Sequence, residues 1–287
     1  MSNAPTRARC EEDVLRDSLR ARVEGAQLKL PLLPEVAQRV LGMAGDPSAG
    51  VADLARLINR DPSLCAHVLR AANSPWYCRG SKIVSIRQAL AQLGAENLSQ
   101  IAWTIAMGTS LLRSHLFKAE LDRWWAAALA ASLVAKDIAR SRRSNVETAF
   151  LCGMMARIGR PVVYEALTLL VDELELSPGV AVALADDLVR QYERPAGLML
   201  VAKWNMPPAI SDALQGLERI GEVAAQEHAA LAQISQRMAD ELLASEDVDV
   251  DSLAADPAGA ILNLYPDVLQ GLVARRGAIL SSIEAIR

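Results

Sequence analysis

Residues 60–75 read Arg60-Asp61-Pro62-Ser63-Leu64-Cys65-Ala66-His67-Val68-Leu69-Arg70-Ala71-Ala72-Asn73-Ser74-Pro75. Asp61 can accept hydrogen bonds from the orphan N–H groups of a helix start. Pro62 fits the first helical position, where a missing N–H is no loss. Leu64, Val68, Leu69 and Ala72 follow at helical spacing, and Asn73-Ser74-Pro75 closes the run. The pattern repeats in both directions. Upstream, Leu30, Leu32 and Leu33 among Pro31 and Pro34 read as an extended, buried lead-in. A short amphipathic helix follows over 35–45, with Val36, Val40, Leu41 and Met43 on its apolar side. Asp46-Pro47 starts a turn, and 51–59 is helical again. Further upstream, residues 11–27 place Val14, Leu15, Leu19 and Val23 on one helical face.

Downstream, Ser85 caps a helix that Gly94 closes. Residues 95–112 and 121–139 form two longer helices. Ser144-x-x-Glu147 reads as a capping box ahead of a helix over 149–158. Pro178, Pro195 and Pro208 each stand at or near a helix start, for helices over 178–192, 195–204 and 208–217. A long helix spans 222–244. An acidic linker then leads to a last pair, 257–264 and 267–286. No segment alternates apolar and polar residues long enough for a strand. The expected fold is all-α, an irregular multi-helix bundle with short connections. The expected organisation is an N-terminal helix (1–27), a helical body (28–244), and an acidic linker with C-terminal helices (245–287).

Composition agrees. Hydrophobic residues make up 52% of the 287, but aromatics only 4%, so the apolar content is mostly Ala, Leu and Val, which favours helices. The net charge is -4, which argues against a dedicated nucleic-acid binder. The best basic cluster, Arg140, Arg142 and Arg143, falls between two helical runs and reads as a solvated loop. Cys10, Cys65, Cys78 and Cys152 form no Cys-x-x-Cys pair and fit no zinc ribbon. The first residues lack a secretory apolar core, and no apolar run is long enough to span a bilayer. A cytoplasmic protein with reduced thiols is the expectation.

Enzyme signatures are missing. There is no Gly-x-Gly-x-x-Gly, no phosphate-binding loop and no Gly-x-Ser-x-Gly. Asp247-x-Asp249-x-Asp251 resembles the start of a calcium loop. However, Ser252 stands where a glycine turn is needed and Ala258 where a bidentate Glu is needed. The three histidines, His67, His115 and His228, are far apart, and none is followed by Asp. No catalytic residue, metal ligand or cofactor site is expected.

Several motifs together carry a resemblance. Leu30-Pro31-Leu32-Leu33-Pro34-Glu35-Val36-Ala37 resembles the "LPPLPEVA" opening of HDOD (HD-related output domain) proteins. Asp61-Pro62-Ser63-Leu64 and Leu69-Arg70-Ala71-Ala72-Asn73-Ser74 resemble that family's "DPxL…LLRLANS" helix. Tyr77, Ile83–Leu90 and Leu93-Gly94 continue in the same order. Phe150-Leu151-Cys152-Gly153-Met154-Met155 resembles "FLAGLLHDIG". Gly197, Trp204-Asn205 and Pro207 resemble "HxxxGxxLLxxWNLP". The match covers roughly residues 28–240.

The resemblance implies an all-α fold related to the HD phosphohydrolases, whose active members hold divalent metal with His and Asp. HDOD proteins typically lack some of those ligands and act in bacterial signalling, often beside two-component or cyclic-dinucleotide pathways. Here Ala127 takes the place of the first histidine, and Ala156-Arg157 that of the His-Asp dipeptide. Glu193 takes the place of a further histidine, and residues 216–218 that of the paired histidines. These positions define a vestigial pocket, in which Arg157 and Glu193 are expected to pair. The implied function is non-catalytic regulation through a protein partner or a small ligand, with no membrane role and no nucleic acid. A residual phosphohydrolase, or a nucleic-acid regulator using Arg140–Arg143, is the alternative. Asn73, Trp76, Tyr77 and Trp124 are the candidate interaction surface, although packing and helix-end satisfaction also account for the first three.

Overall fold

The structure, a computed structural model, describes residues 4–42, 47–78, 80–220 and 227–286. Among them every regular element is helical and none is a strand. In chain order the elements are α1 (Ala4–Glu24), α2 (Glu35–Gly42), α3 (Pro47–Arg60), α4 (Pro62–Ala72), α5 (Ile86–Leu111), α6 (Lys118–Arg142), α7 (Val146–Met155) and α8 (Gly159–Glu173). After these come α9 (Pro178–Lys203), α10 (Pro208–Gly216), a 3-10 turn (Leu217–Arg219), α11 (Glu227–Ala244), α12 (Val250–Ala254), α13 (Pro257–Ile261), α14 (Pro266–Val273) and α15 (Arg276–Ile286). Met43, Asp46 and residues 222–226 lie outside the described residues.

The starts follow local chemistry. Asp61 accepts from the N–H groups of Ser63 (2.9 Å) and Leu64 (3.1 Å) at the head of α4. Ser85 accepts from Gln88 N–H at the head of α5. Gly94, at φ 80°, breaks α5 into two helical stretches. The capping box is corrected by one residue. Asn145, not Ser144, caps α7, accepting from Thr148 N–H at 2.8 Å. Two helices read apart at Pro195 are one, α9. Its inner face stays apolar on both sides of the proline, with Leu188 and Tyr192 before it and Ala196 and Leu200 after it, all buried. Packing there outweighs the lost backbone hydrogen bond. The helix α8 was not assigned from sequence; it opens on Gly159-Arg160-Pro161 and has no side-chain cap.

The core forms around α6, in which Leu121 and every residue from Trp124 to Ala139 are buried. Against it pack α7, α11, α8 and α15. A second layer sets α2, α3 and α4 on α5. The pair α8–α9 carries α1, which buries Leu15, Leu19 and Val23. The lead-in before α2 is pinned by its backbone. Trp204 Nε1 donates to Pro31 O (3.0 Å), Lys203 Nζ to Leu30 O (3.0 Å) and Ser110 Oγ to Leu32 O (3.3 Å). Leu32 itself is 77% exposed, against the buried expectation; the segment is held through its backbone carbonyls and not through this side chain.

Two close approaches need glycine. A Cβ on Gly153 of α7 would stand 2.5 Å from Ala131 O of α6. A Cβ on Gly159 would stand 1.5 Å from Glu193 O of α9. We expect Gly159→Ala to cost about 3 kcal/mol or more, or to prevent folding, since backbone must move to admit the methyl. A urea midpoint unchanged from that of the parent protein would show that the two helices do not touch this way.

Candidate functional site

The turn from α7 to α8 is built by Ala156, Arg157 and Ile158, and Gly159 presses it onto α9. The turn therefore lies beside Glu193. The expected Arg157–Glu193 pair does not form. Arg157 Nη1 instead reaches Asp240 Oδ2 of α11 at 2.8 Å. Glu193 Oε2 takes Arg160 Nε at 2.5 Å, from the first turn of α8. The neighbouring Arg194 pairs with Glu218 and donates to Gln215 O at 2.6 Å. One guanidinium is needed per carboxylate, and packing gives Glu193 an arginine one helical turn after Arg157. Ala127 and Ala156 are buried methyl groups with no ligand atom.

These pairs are partly exposed and contribute little net stability. Their effect is on charge. Each carboxylate near the turn already faces a fixed guanidinium, and arginine does not deprotonate to coordinate a cation. Among the described residues no three His, Cys, Asp or Glu side chains converge so as to hold a metal ion. His67 bonds Ser63 O within α4, His115 lies in the α5–α6 connection, and His228 is on α11. The donor set at the turn does not suit the metal that HD enzymes carry. The acidic run after α11 serves as helix caps. Asp249 accepts from Ser252 N–H (2.9 Å) and Asp256 from Ala258 N–H (2.8 Å).

The candidate interaction residues turn inward. Asn73 donates to Leu69 O (2.7 Å) and Ile83 O (2.8 Å), and accepts from Ile83 N–H (2.8 Å), so its amide joins the end of α4 to the strand-free run before α5. Trp76 is buried beneath the Arg275 guanidinium, 4.0 Å from the ring centre. Tyr77 faces Lys136 at 5.6 Å, and burial pushes its phenol above the ordinary range. Trp124 was expected at a surface but is only 4% exposed, because α6 is buried on all sides from Trp124 to Ala139; Trp125 lies against Gly108 of α5. The basic cluster is the last turn and cap of α6, not a free loop. Arg140 meets Asp137 (3.4 Å), and Arg142 meets Glu227 (2.9 Å) and Leu262 O.

Sequence reasoning missed Lys136. It is fully buried on α6, where it donates to Asn97 Oδ1 at 2.7 Å and to Gln100 Oε1, with Glu96 3.9 Å away. The signal was visible as a lone lysine in the apolar run 126–139. Burial, aided by the charge of Arg140, lowers its pKa to about 8.

The described residues form an all-α bundle whose α7–α8 turn carries Ala156 and Arg157, with Arg157 and the nearby Arg160 each paired to a carboxylate. The family comparison agrees: the HDOD domain model matches residues 30–220, and the chain belongs to that family. A protein from Shewanella amazonensis SB2B, provisionally described as a phosphohydrolase, is 19% identical, with a TM-score of 0.69 over 94% of this chain and 98% of its own. A second from the same organism, provisionally described as a metal-dependent phosphohydrolase, is 22% identical, with a TM-score of 0.68 over 96% and 98%. An HDOD domain protein of unknown function from Geobacter sulfurreducens is 22% identical, with a TM-score of 0.67 over 99% and 98%. At such identities these structures bear on the fold alone. No curated protein matches the chain. Among the described residues no helix is long and apolar enough to cross a membrane.

Lys136 generates a pH prediction. Below about pH 8 its ammonium is charged in both states, and the burial penalty is fully present. As pH rises from about 8 toward 10.5 the folded form loses its proton first, and stability climbs by up to about 3 kcal/mol. The Cys152 thiol, pushed up to about 12 by burial, pulls the other way over part of that window. The reading is therefore the difference between the parent protein and Lys136→Met. The variant should lose the rising component, and parallel stability–pH curves would refute the assignment.

Proposed function

We propose that this protein is a non-catalytic regulator in bacterial signalling that works by binding a protein partner or a small ligand. The observation that carries the reading is the state of the former metal position. Ala127 and Ala156 offer no ligand atom, Arg157 is a fixed cation, and Glu193 is already neutralised by Arg160. Hydrolysis of a phosphoester by an HD-type centre needs a metal to polarise the phosphoryl oxygens and activate water. A cation brought to this turn would meet guanidinium groups, whose repulsion opposes it. Membership of the HDOD family, whose resemblance implies regulation, supports the same reading.

In this reading the body is residues 28–244, with 1–27 and 245–287 as flanking segments. No cofactor takes part. The partner is a protein of a signalling pathway, not nucleic acid or membrane, and the compartment is the cytoplasm, where the four thiols stay reduced. The test is turnover of bis(4-nitrophenyl) phosphate by the purified chain with added manganese. We expect a rate equal to that of buffer with manganese, and no stoichiometric metal by elemental analysis. Turnover that a chelator abolishes would overturn the proposal.

A further inference from the structure

A groove of about 580 Å³ runs between the last turn of α4, the extended run 82–84 and the end of α15. Leu69, Pro75, Ile83, Val84 and Ala285 give it an apolar lining. Val84 stands open in it at 69% exposure. The walls are fixed in place. Ser282 Oγ of α15 donates to Ser74 Oγ at 3.0 Å, and α15 packs on α4. The rim is basic. Residues 60–95 carry Arg60, Arg70, Arg79, Lys82 and Arg87 against a single acid, Asp61, in a chain whose net charge is -4. The Asp61 carboxylate is taken up in capping α4. Arg70 and Lys82 line the groove and are exposed, and neither side chain has an ion pair or a hydrogen bond among the described residues. Glu284, the acid of α15, pairs with neither. At the α7–α8 turn, by contrast, each arginine is matched by a carboxylate.

The backbone of the extended run is already occupied. Ile83 N–H donates to Asn73 Oδ1 (2.8 Å), and Ile83 O accepts from Asn73 Nδ2 (2.8 Å). Val84 N–H donates to Gln88 Oε1 (3.0 Å), and Lys82 O accepts from Gln88 Nε2 (3.2 Å). An added strand would pair through both groups of Ile83, or through those of Lys82 and Val84. Both edges are blocked by these side-chain amides. A chain laid in the groove must therefore satisfy its own backbone, as a helix does.

We propose that this groove docks an acidic amphipathic helix of a partner protein. Its apolar stripe lies on Leu69, Ile83, Val84 and Ala285, and its flanking Asp or Glu side chains meet Arg70 and Lys82. The apolar lining selects a side-chain stripe over a bare polyanion, and the unmatched cations select the sign of the flanks. The inference deepens the regulatory reading by naming the chemistry of the partner and the surface that takes it. It rests on that reading only for its biological meaning, since binding is measured on the purified chain.

The probe is a fluorescein-labelled, hydrocarbon-stapled peptide of roughly 16 residues, about four helical turns, with leucines at helical spacing on one face and glutamates on the other. Anisotropy with the full chain should show saturable one-to-one binding with a Kd of about 1 mM or tighter. A twin with lysine in place of each glutamate should bind at least roughly tenfold more weakly. Val84→Glu, at an exposed position, should weaken binding of the acidic peptide roughly tenfold or more. Arg70→Glu combined with Lys82→Glu should reverse the preference, so that the lysine twin binds better; a misfolded variant would bind neither. The proposal is overturned if the acidic peptide does not bind, if the twin binds the parent equally well, or if Val84→Glu binds like the parent. It is also overturned if duplex DNA or phosphatidylserine vesicles bind the parent more tightly than the peptide and lose that binding in the same variants. Metal-dependent phosphoester turnover leaves all these outcomes unchanged, so the two readings fail separately.

Discussion

The first turn of α8 rests on the backbone of α9, and the surroundings of the α7–α8 turn depend on that contact. Gly159 has no side chain, so its Cα can sit where any Cβ would overlap the carbonyl oxygen of Glu193. Gly197, one turn along α9, lies across from it and keeps the approach open. With the two backbones this close, the direction of every side chain near the turn is set. Arg157 leaves the turn toward α11 and finds Asp240, while Arg160 leaves toward α9 and finds Glu193. A helix one methyl further away would shift both arginines and separate both pairs.

The pairing also shows how charge is balanced around the α7–α8 turn. Each arginine there is matched singly by a carboxylate. A guanidinium is a planar monocation that one carboxylate satisfies, so the charges fall into three separate pairs, Arg157–Asp240, Arg160–Glu193 and Arg194–Glu218, and not into one shared centre. Each pair is partly exposed and individually weak. Together they leave each charge near the turn with a partner of opposite sign.

The fold was largely legible because helix ends announce themselves locally. Asp61, Ser85 and the prolines at 62, 178 and 208 act within three residues of their position, and the structure places helix starts there. The misreadings come where tertiary packing outweighs local chemistry. α8 opens on Gly-Arg-Pro, where a backbone contact requires the glycine and no side-chain cap marks the start. α9 runs through Pro195 because both flanks of the proline are buried. Leu32 looked like core because it is leucine, yet the bonds that position its segment are made by backbone carbonyls.

The site was less legible, and the reason is the distance between partners along the chain. The motif resemblance singled out Ala127, Ala156, Arg157 and Glu193, which are read directly from the sequence. It could not say which charges would meet, because Asp240 lies 83 residues from Arg157 and no spacing rule connects them. The same holds for Lys136, whose partners Asn97 and Gln100 sit on another helix. A lysine in an apolar run signals only that some compensation must exist, since an unpaired buried ammonium is too costly to keep. Asn97 and Gln100 stand one turn apart on α5, so their amide oxygens face the same side of that helix. That side meets Lys136 of α6, although the main packing of α5 is on α2, α3 and α4. The compensation for the lysine therefore comes from a helix distant in sequence, and it could be located only once the placement of α5 was known.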